Sequence, residues 1–315
     1  MDGAYLGKAL ARFSGYLAID EVYDGPFCVL CVVDNRAFNR LACSVLGHAP
    51  THEDVLGFLA GFKEGLGKRG KRVSGITADG SRRHPKALAE SWPGVPHQVC
   101  EFHVLKEIAK AVLHALAGMR RRMKAEIPKR KRGRPPKEEE AAGRRIAERT
   151  KRVADLSEGR HLFVRHGLSA GQKEGLRRLT RGLPRLRVLQ GIMDEAYRLF
   201  NRRCKTETGL AKLDRLRKRV KRLTSLGKAL DKLKSPTLEK ALEFLDDKLL
   251  PSTSNAVERS NRRFRKAQRA VYGVRTKTSL EQRVALDMHR EQRTPRRKRT
   301  IKTLHRARSL ARRLH

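Results

Sequence analysis

The sequence predicts an α/β protein: a mixed five-stranded sheet covered by helices comes first, and a long all-helical stretch follows. Three observations predict it. Apolar runs of strand length, punctuated by tight-turn residues, fill residues 15–102. Strand signals stop near Val104, and apolar residues then recur at helical spacing. Charge divides the chain in the same way. The first 100 residues hold 12 Lys/Arg and 10 Asp/Glu, a net of +2, so 40 − 2 = +38 of the overall +40 falls on the remainder.

Residues 1–14 carry no pattern that assigns an element. Gly15–Tyr23 reads as a strand, Asp24-Gly25-Pro26 as a turn, and Phe27–Val33 as a second, fully apolar strand. Asp34-Asn35 turns again before a short third strand over Leu41–Leu46. Thr51, with Asp54 three residues on, caps a helix to about Leu66. Val73–Thr77 is a fourth strand that ends in Ala78-Asp79-Gly80, His84–Trp92 a short helix, and His97–Phe102 a fifth strand. Three strands joined by turns, followed by strands reached through helices, make a mixed sheet. Beyond it, Leu105, Ile108, Ala109, Val112, Leu113 and Leu116 mark one helix, and Arg/Lys-rich helices are expected over about 138–156, 169–181, 185–222 and 237–249. A further helix starts at Asn255, and residues 293–315 form a basic stretch without an acidic residue.

No apolar window is long enough to span a membrane. Five cysteines, an odd number in a chain of this length, fit a reducing compartment, and the cytoplasm is expected. The basic excess calls for a polyanion. Nucleic acid is the first candidate, ahead of an anionic membrane or a merely solubilising surface, because +38 far exceeds what solubility requires.

Cys28 and Cys31 lie three apart in a strand, so their side chains point to opposite faces and are read as core. Cys100-x2-His103 is half of a zinc pattern with no second pair to complete it. Asp20 sits inside an apolar strand, where an unpaired carboxylate is costly. Asp79 follows another strand, where it is either a turn residue or the second carboxylate of a cleft. The stretch Pro251–Lys266 places Glu258 on a strongly basic helix, with Asn255, Glu258, Asn261 and Arg262 on one face. Two readings stand for Glu258: a capping box with Asn255 as cap, or a carboxylate that binds a metal beside a phosphate. Two aspartates in one cleft, joined by a glutamate from a later helix, are the ligand set that phosphodiester chemistry requires. Lys129–Lys137 contains Arg132-Gly133-Arg134-Pro135, either an A·T minor-groove hook or a basic linker.

The series Tyr16-Leu-Ala-Ile-Asp20, Ile76-Thr-Ala-Asp79-Gly80, His97-Gln-Val-Cys100-Glu-Phe-His103 and Ser254-Asn-Ala-Val-Glu258-Arg-x-Asn261 resembles the catalytic domain of DDE transposases, in particular the Mutator-like and bacterial insertion-sequence branches. The resemblance covers about residues 15–275. It implies a ribonuclease-H-like fold with an all-helical insertion. The sheet part would span 15–104, the insertion 105–250, the glutamate helix 251–290 and a basic tail 291–315. The gaps agree: 79 − 20 = 59 residues of sheet, then 258 − 79 = 179, too long for one crossover. It further implies Asp20, Asp79 and Glu258 as catalytic ligands of two Mg²⁺ or Mn²⁺ ions, and Cys100 and His103 as a signature pair beside them. Arg132, Arg134, Arg259, Arg262 and Arg263 would contact DNA. Such enzymes cut at transposon ends and join the 3′-hydroxyl to target DNA, usually as a dimer or larger assembly; in bacteria the protein would accompany the nucleoid. They usually carry an N-terminal end-reading domain. With 20 − 1 = 19 residues before Asp20, the expectation is a truncated chain or end recognition elsewhere. Two other readings are a non-catalytic DNA-binding remnant and a structure-selective nuclease on the same fold.

Overall fold

A computed structural model of the chain describes residues 3–80, 84–128, 140–221, 235–269, 273 and 275–293. The hook-like stretch 129–137, with Arg132 and Arg134, lies outside these residues, as does the basic stretch from 294 onward. In chain order the elements are α1 (Gly3–Leu10), β1 (Tyr16–Asp24), β2 (Phe27–Asp34), β3 (Arg40–Leu46), α2 (His52–Gly67), β4 (Gly75–Ala78), α3 (His84–Ser91) and β5 (His97–Val99). They continue with α4 (Glu101–Ala125), α5 (Glu140–Glu158), α6 (Ala170–Thr180), α7 (Pro184–Leu199), α8 (Thr206–Lys221), α9 (Thr237–Lys240), α10 (Asn255–Ala267) and α11 (Lys277–Arg293). The described residues fall into two compact units, one within Met1–Gln98 and Thr253–His315, the other within Val99–Ser252.

The expected α/β class with a mixed five-stranded sheet is the one observed. The strand order is β3-β2-β1-β4-β5. β1, β2 and β3 pair antiparallel, and β4 runs parallel to β1, an arrangement consistent with a ribonuclease-H-like sheet. The β1–β2 hairpin closes through Gly25-Pro26, with Asp24 facing Phe27. Gly25 takes φ +58°, the positive value that a two-residue turn matched to strand twist demands at its first position. Thr51 and Asp54 form the reciprocal capping box expected at the start of α2.

The core of this unit runs from α1 through the strands to α10 and α11, with Leu17, Ile19, Leu30, Val32, Leu59, Phe62, Ile76, Val257 and Leu280 all buried. Strand alternation puts Ala18, Asp20 and Val22 on one face of β1, and Leu17, Ile19 and Glu21 on the other. Helix α10 packs on β1 and β2. Its stripe of Ala256, Val257, Ser260, Asn261 and Phe264 is buried, while Arg259, Arg262 and Arg263 stay exposed.

The second unit is helical. α4 packs against α5 and α7, and α7 against α8. Ile108, Val112, Leu186, Leu189, Ile192, Leu213 and Phe244 are among its buried side chains. Glu101 N–H donates to the Ser252 carbonyl at 2.8 Å, so the unit starts and finishes at one place.

Four sequence expectations change. Residues 3–10 are a helix, held by buried Tyr5, Leu6, Ala9 and Leu10. The fifth strand ends at Val99 instead of Phe102, because Cys100 already occupies the N-cap of α4. The helix expected over 185–222 is two helices. Asn201 Oδ1 accepts from Arg203 N–H at 3.1 Å, a local bond that competes with helix, and Asp246 Oδ1 accepts from Thr206 N–H to start α8. The helix expected over 237–249 shrinks to α9 and a 3-10 turn at Glu243–Leu245, since Asp247 turns its side chain onto Leu249 N–H. In addition α11 runs to Arg293, two residues past the start assumed for the tail.

Candidate active site

The site is assembled from sheet register. β1 and β4 run parallel with Leu17 beside Ile76, Ala18 beside Thr77 and Ile19 beside Ala78. One further step puts Asp79 alongside Asp20, on chains about 4.8 Å apart. Asp79 therefore sits at the carboxyl end of its strand, where the backbone leaves the sheet.

The third contribution comes from α10. Asn261 Nδ2 donates to Asp20 Oδ2 at 2.7 Å across 241 residues of sequence, and Asn261 is itself buried. Glu258 precedes Asn261 by three residues, on the same helix face. The electrostatics record the convergence. The carboxyl of Asp20 is pushed up to about 7, first by burial, then by the charges of Asp79, Glu21 and Glu258. Asp20 thus feels the charge of carboxylates from three separate stretches of a chain whose net charge is +40.

The capping-box reading of Glu258 is overturned. The N-cap of α10 is Ser254, not Asn255, and its side chain makes no capping bond. Glu258 then stands at the fourth helical position, one residue too far for a capping box, and its N–H donates to the Ser254 carbonyl at 3.1 Å. Its carboxylate lines an open surface depression with Arg262, Arg265, Lys266 and Arg269.

Two residues escape sequence reasoning. Glu21 and His84 bond through Oε2 and Nε2, and His84 is fully buried. Burial pulls the imidazole down, but the hydrogen bond and charge of Glu21, with the charges of Asp79 and Asp20, outweigh it and leave His84 above its ordinary value. The ligating atoms of Glu21, Asp79 and His84 lie within 4.8 Å of one another, and among the described residues these three form the close metal-capable group. Asp20 acts on His84 through its charge but lies outside this group, as does Glu258. The only signal in the sequence was a second acidic residue directly after Asp20. Glu21 points to the other face of β1, where α3 delivers His84.

The arginines differ among themselves. The Arg259 guanidinium lies 4.8 Å over the Phe38 ring. Arg263 pairs with Glu291 at 2.9 Å, which also holds the buried Arg40 at 2.9 Å. Arg262 faces the basic depression. Cys100 and His103 belong to the helical unit: Cys100 is buried at the start of α4, and His103 meets the Phe102 ring edge-on at 5.7 Å. Among the described residues neither joins a group of three ligating side chains. Cys28 and Cys31 are buried thiols, as core residues should be, and Cys31 Sγ lies 2.7 Å from Cys43 Sγ on the neighbouring strand.

The donor set suits a hard divalent cation. It is made of carboxylate oxygens with one imidazole; burial and, after it, the neighbouring carboxylates lift Asp20, and a bound cation would relieve the repulsion among them. No described helix is long and apolar enough to cross a membrane.

A family model for the ISL3-type DDE group, described as transposase, matches residues 40–284. The matched range includes Asp79 and Glu258 and begins after Asp20. No curated protein and no solved structure gives a match.

Proposed function

The chain belongs to the ISL3 family of DDE transposases, and on that premise we propose that it cuts DNA at transposon ends and joins the freed 3′-hydroxyl to target DNA. The observation that supports this reading is the Asn261–Asp20 bond, which brings α10, with Glu258 one turn from Asn261, to the strand beside which Asp79 lies. Asp20, Asp79 and Glu258 would hold two Mg²⁺ or Mn²⁺ ions. When bound, such ions supply an activated attacking oxygen and stabilise the leaving one. The protein's own part is positioning. Asn261 fixes the Asp20 carboxylate by a charge-assisted bond. Glu21 and His84 hold the far side of Asp79. Arg259, Arg262, Arg265 and Lys266 bring phosphates to α10 and carry no sequence information.

Arg132 and Arg134 would add a minor-groove contact, and the likeness to Mutator-like enzymes rests on the spacing of Cys100 and His103 alone. Work on two transposon ends calls for at least two protomers, in the reducing cytoplasm and, in a bacterium, at the nucleoid. The division proposed for the chain remains sheet 15–104, insertion 105–250 and glutamate helix 251–290.

The deciding experiment is a strand-cleavage and joining assay on end-containing DNA with Mg²⁺, comparing the full chain with Asp20→Asn, Asp79→Asn and Glu258→Gln. Loss of both products in each variant, with DNA binding retained, supports the proposal. Cleavage without joining by the parent chain would identify a nuclease on this fold. DNA binding without any product would identify a non-catalytic remnant.

A further inference from the structure

The turn between β2 and β3 holds its shape through one buried residue. Asp34 Oδ1 accepts from Arg36 N–H at 3.0 Å, Ala37 N–H at 2.8 Å and Ser14 Oγ–H at 2.6 Å, and Oδ2 accepts from Ser14 N–H at 2.8 Å. Asp34 N–H donates to the Asn39 carbonyl and Phe38 N–H to the Asp34 carbonyl, both at 2.8 Å. Asn35 Nδ2 donates to the Thr253 carbonyl at 3.1 Å, which ties the turn to the chain just ahead of α10.

This rigid turn presents Phe38. Among the described residues Phe38 alone, of those other than glycine, has a positive φ, +61°. Glycine and asparagine suit that conformation; a bulky aromatic is strained there. The ring is nonetheless 40 % exposed, so one part of it stays open to solvent. The ring lies under the guanidinium of Arg259, the residue after Glu258 on α10. A flat apolar ring capped by a cation, beside a carboxylate cluster and a row of phosphate-binding cations, offers a base its π-face and its phosphate a charge.

We propose that Phe38 and Arg259 form a stacking platform for one unpaired nucleobase of the DNA strand held at α10. The platform rests on the DNA-processing reading above and adds to it a site for a base that has left the duplex. Taking a base out of its stack costs energy that a stacking partner recovers. The bonds at Asp34 hold the strained Phe38 backbone in place.

The test uses the full chain with EDTA present, so that no cleavage occurs. Two duplexes of one sequence are compared, one fully paired and one carrying a single unpaired 2-aminopurine. Binding is expected to quench the 2-aminopurine and to favour the unpaired duplex roughly tenfold. Phe38→Gly should lose both effects while keeping its affinity for the paired duplex. Glycine accepts the backbone angle, which offsets part of the packing lost with the ring, so the melting temperature of this variant should change by only a few degrees. Phe38→Trp should retain the quench. Retention of the preference by Phe38→Gly overturns the proposal. Equal binding of both duplexes by the parent chain also overturns it and leaves the DNA-processing reading intact. Failure to bind either duplex removes that reading together with the platform.

Discussion

The two units of the chain bury different things. In the sheet unit Asp34, Asn35, Arg40, Thr77, His84, Ser91, Gln98, Ser254, Ser260, Asn261 and Gln268 are buried; among the described residues of the helical unit, Thr180 is the one buried polar residue. The polar contacts of the sheet unit also reach far along the sequence, as Asn35 to Thr253, Arg40 to Glu291 and Asn261 to Asp20 show. The ion pairs of the helical unit are mostly local, such as Lys110 with Glu107 and Arg177 with Glu174, and lie on its surface. Exposed pairs of that kind contribute about 0.2–1 kcal/mol each at most. The helical unit is therefore held by its apolar interior, while the sheet unit accepts the cost of buried polar groups to fix carboxylates in place.

The largest effect should come from breaking the carboxylate cluster. Asp20→Asn is expected to reduce strand cleavage at least about a thousandfold. It should leave the melting temperature unchanged or raised, because the replaced group is a carboxyl that its surroundings disfavour in charged form and its amide oxygen still accepts from Asn261. A fall of several degrees in melting temperature would show that the residue is structural. The converse substitution is Ile192→Ala in the helical core, where the side chain is fully buried. Urea unfolding should register a loss of about 2–4 kcal/mol, with the affinity of the sheet unit for Mn²⁺ unaltered. Next in size is Asn261→Ala. Loss of a single orienting bond on a ligand should cut cleavage about ten- to a hundredfold and weaken Mn²⁺ binding measured by calorimetry, with unfolding affected far less than by Ile192→Ala.

The smallest effect concerns an exception within the helical unit. Burial raises the Glu101 carboxyl above its ordinary value against the opposing pull of Ser252 and Arg202. A raised carboxyl pKa means that the folded state binds the proton more firmly than the unfolded chain. Stability is then fully present below the ordinary value of about 4 and is lost as pH rises through the folded value. Glu101→Gln should accordingly stabilise the chain slightly at pH 7 and not at pH 3, as thermal melts at the two pH values would reveal.

Much of the sheet was legible because its signals are local. Asp24-Gly25 sets a turn, Thr51 and Asp54 set a helix start, and apolar runs between such punctuation become strands wherever they pair. The helix break at Asn201–Lys205 was illegible because it depends on Asp246, 40 residues away, to cap Thr206. Asp20 stood out as an acid inside an apolar strand, and Asn261 as a neighbour of Glu258 on one helix face. Their mutual bond did not, since no local pattern reports how far α10 slides along β1. His84 read as the first residue of a short helix; only the packing of α3 gives it to Glu21. Phe38 carried no signal either, because the backbone angle that marks it is invisible in the sequence.

The position of α10 sets a clock on synthesis. Asp20 and Asp79 leave the ribosome early, but Asn261 and Glu258 follow only after the whole helical unit has been made. At about 5–20 residues per second the carboxylate cluster stays incomplete for tens of seconds while two of its members already exist. During that interval the chain already carries its basic helices but not yet Glu258 or Asn261. On the function proposed above, a chain that ends before Glu258 would keep its basic helices and lose the ability to cut.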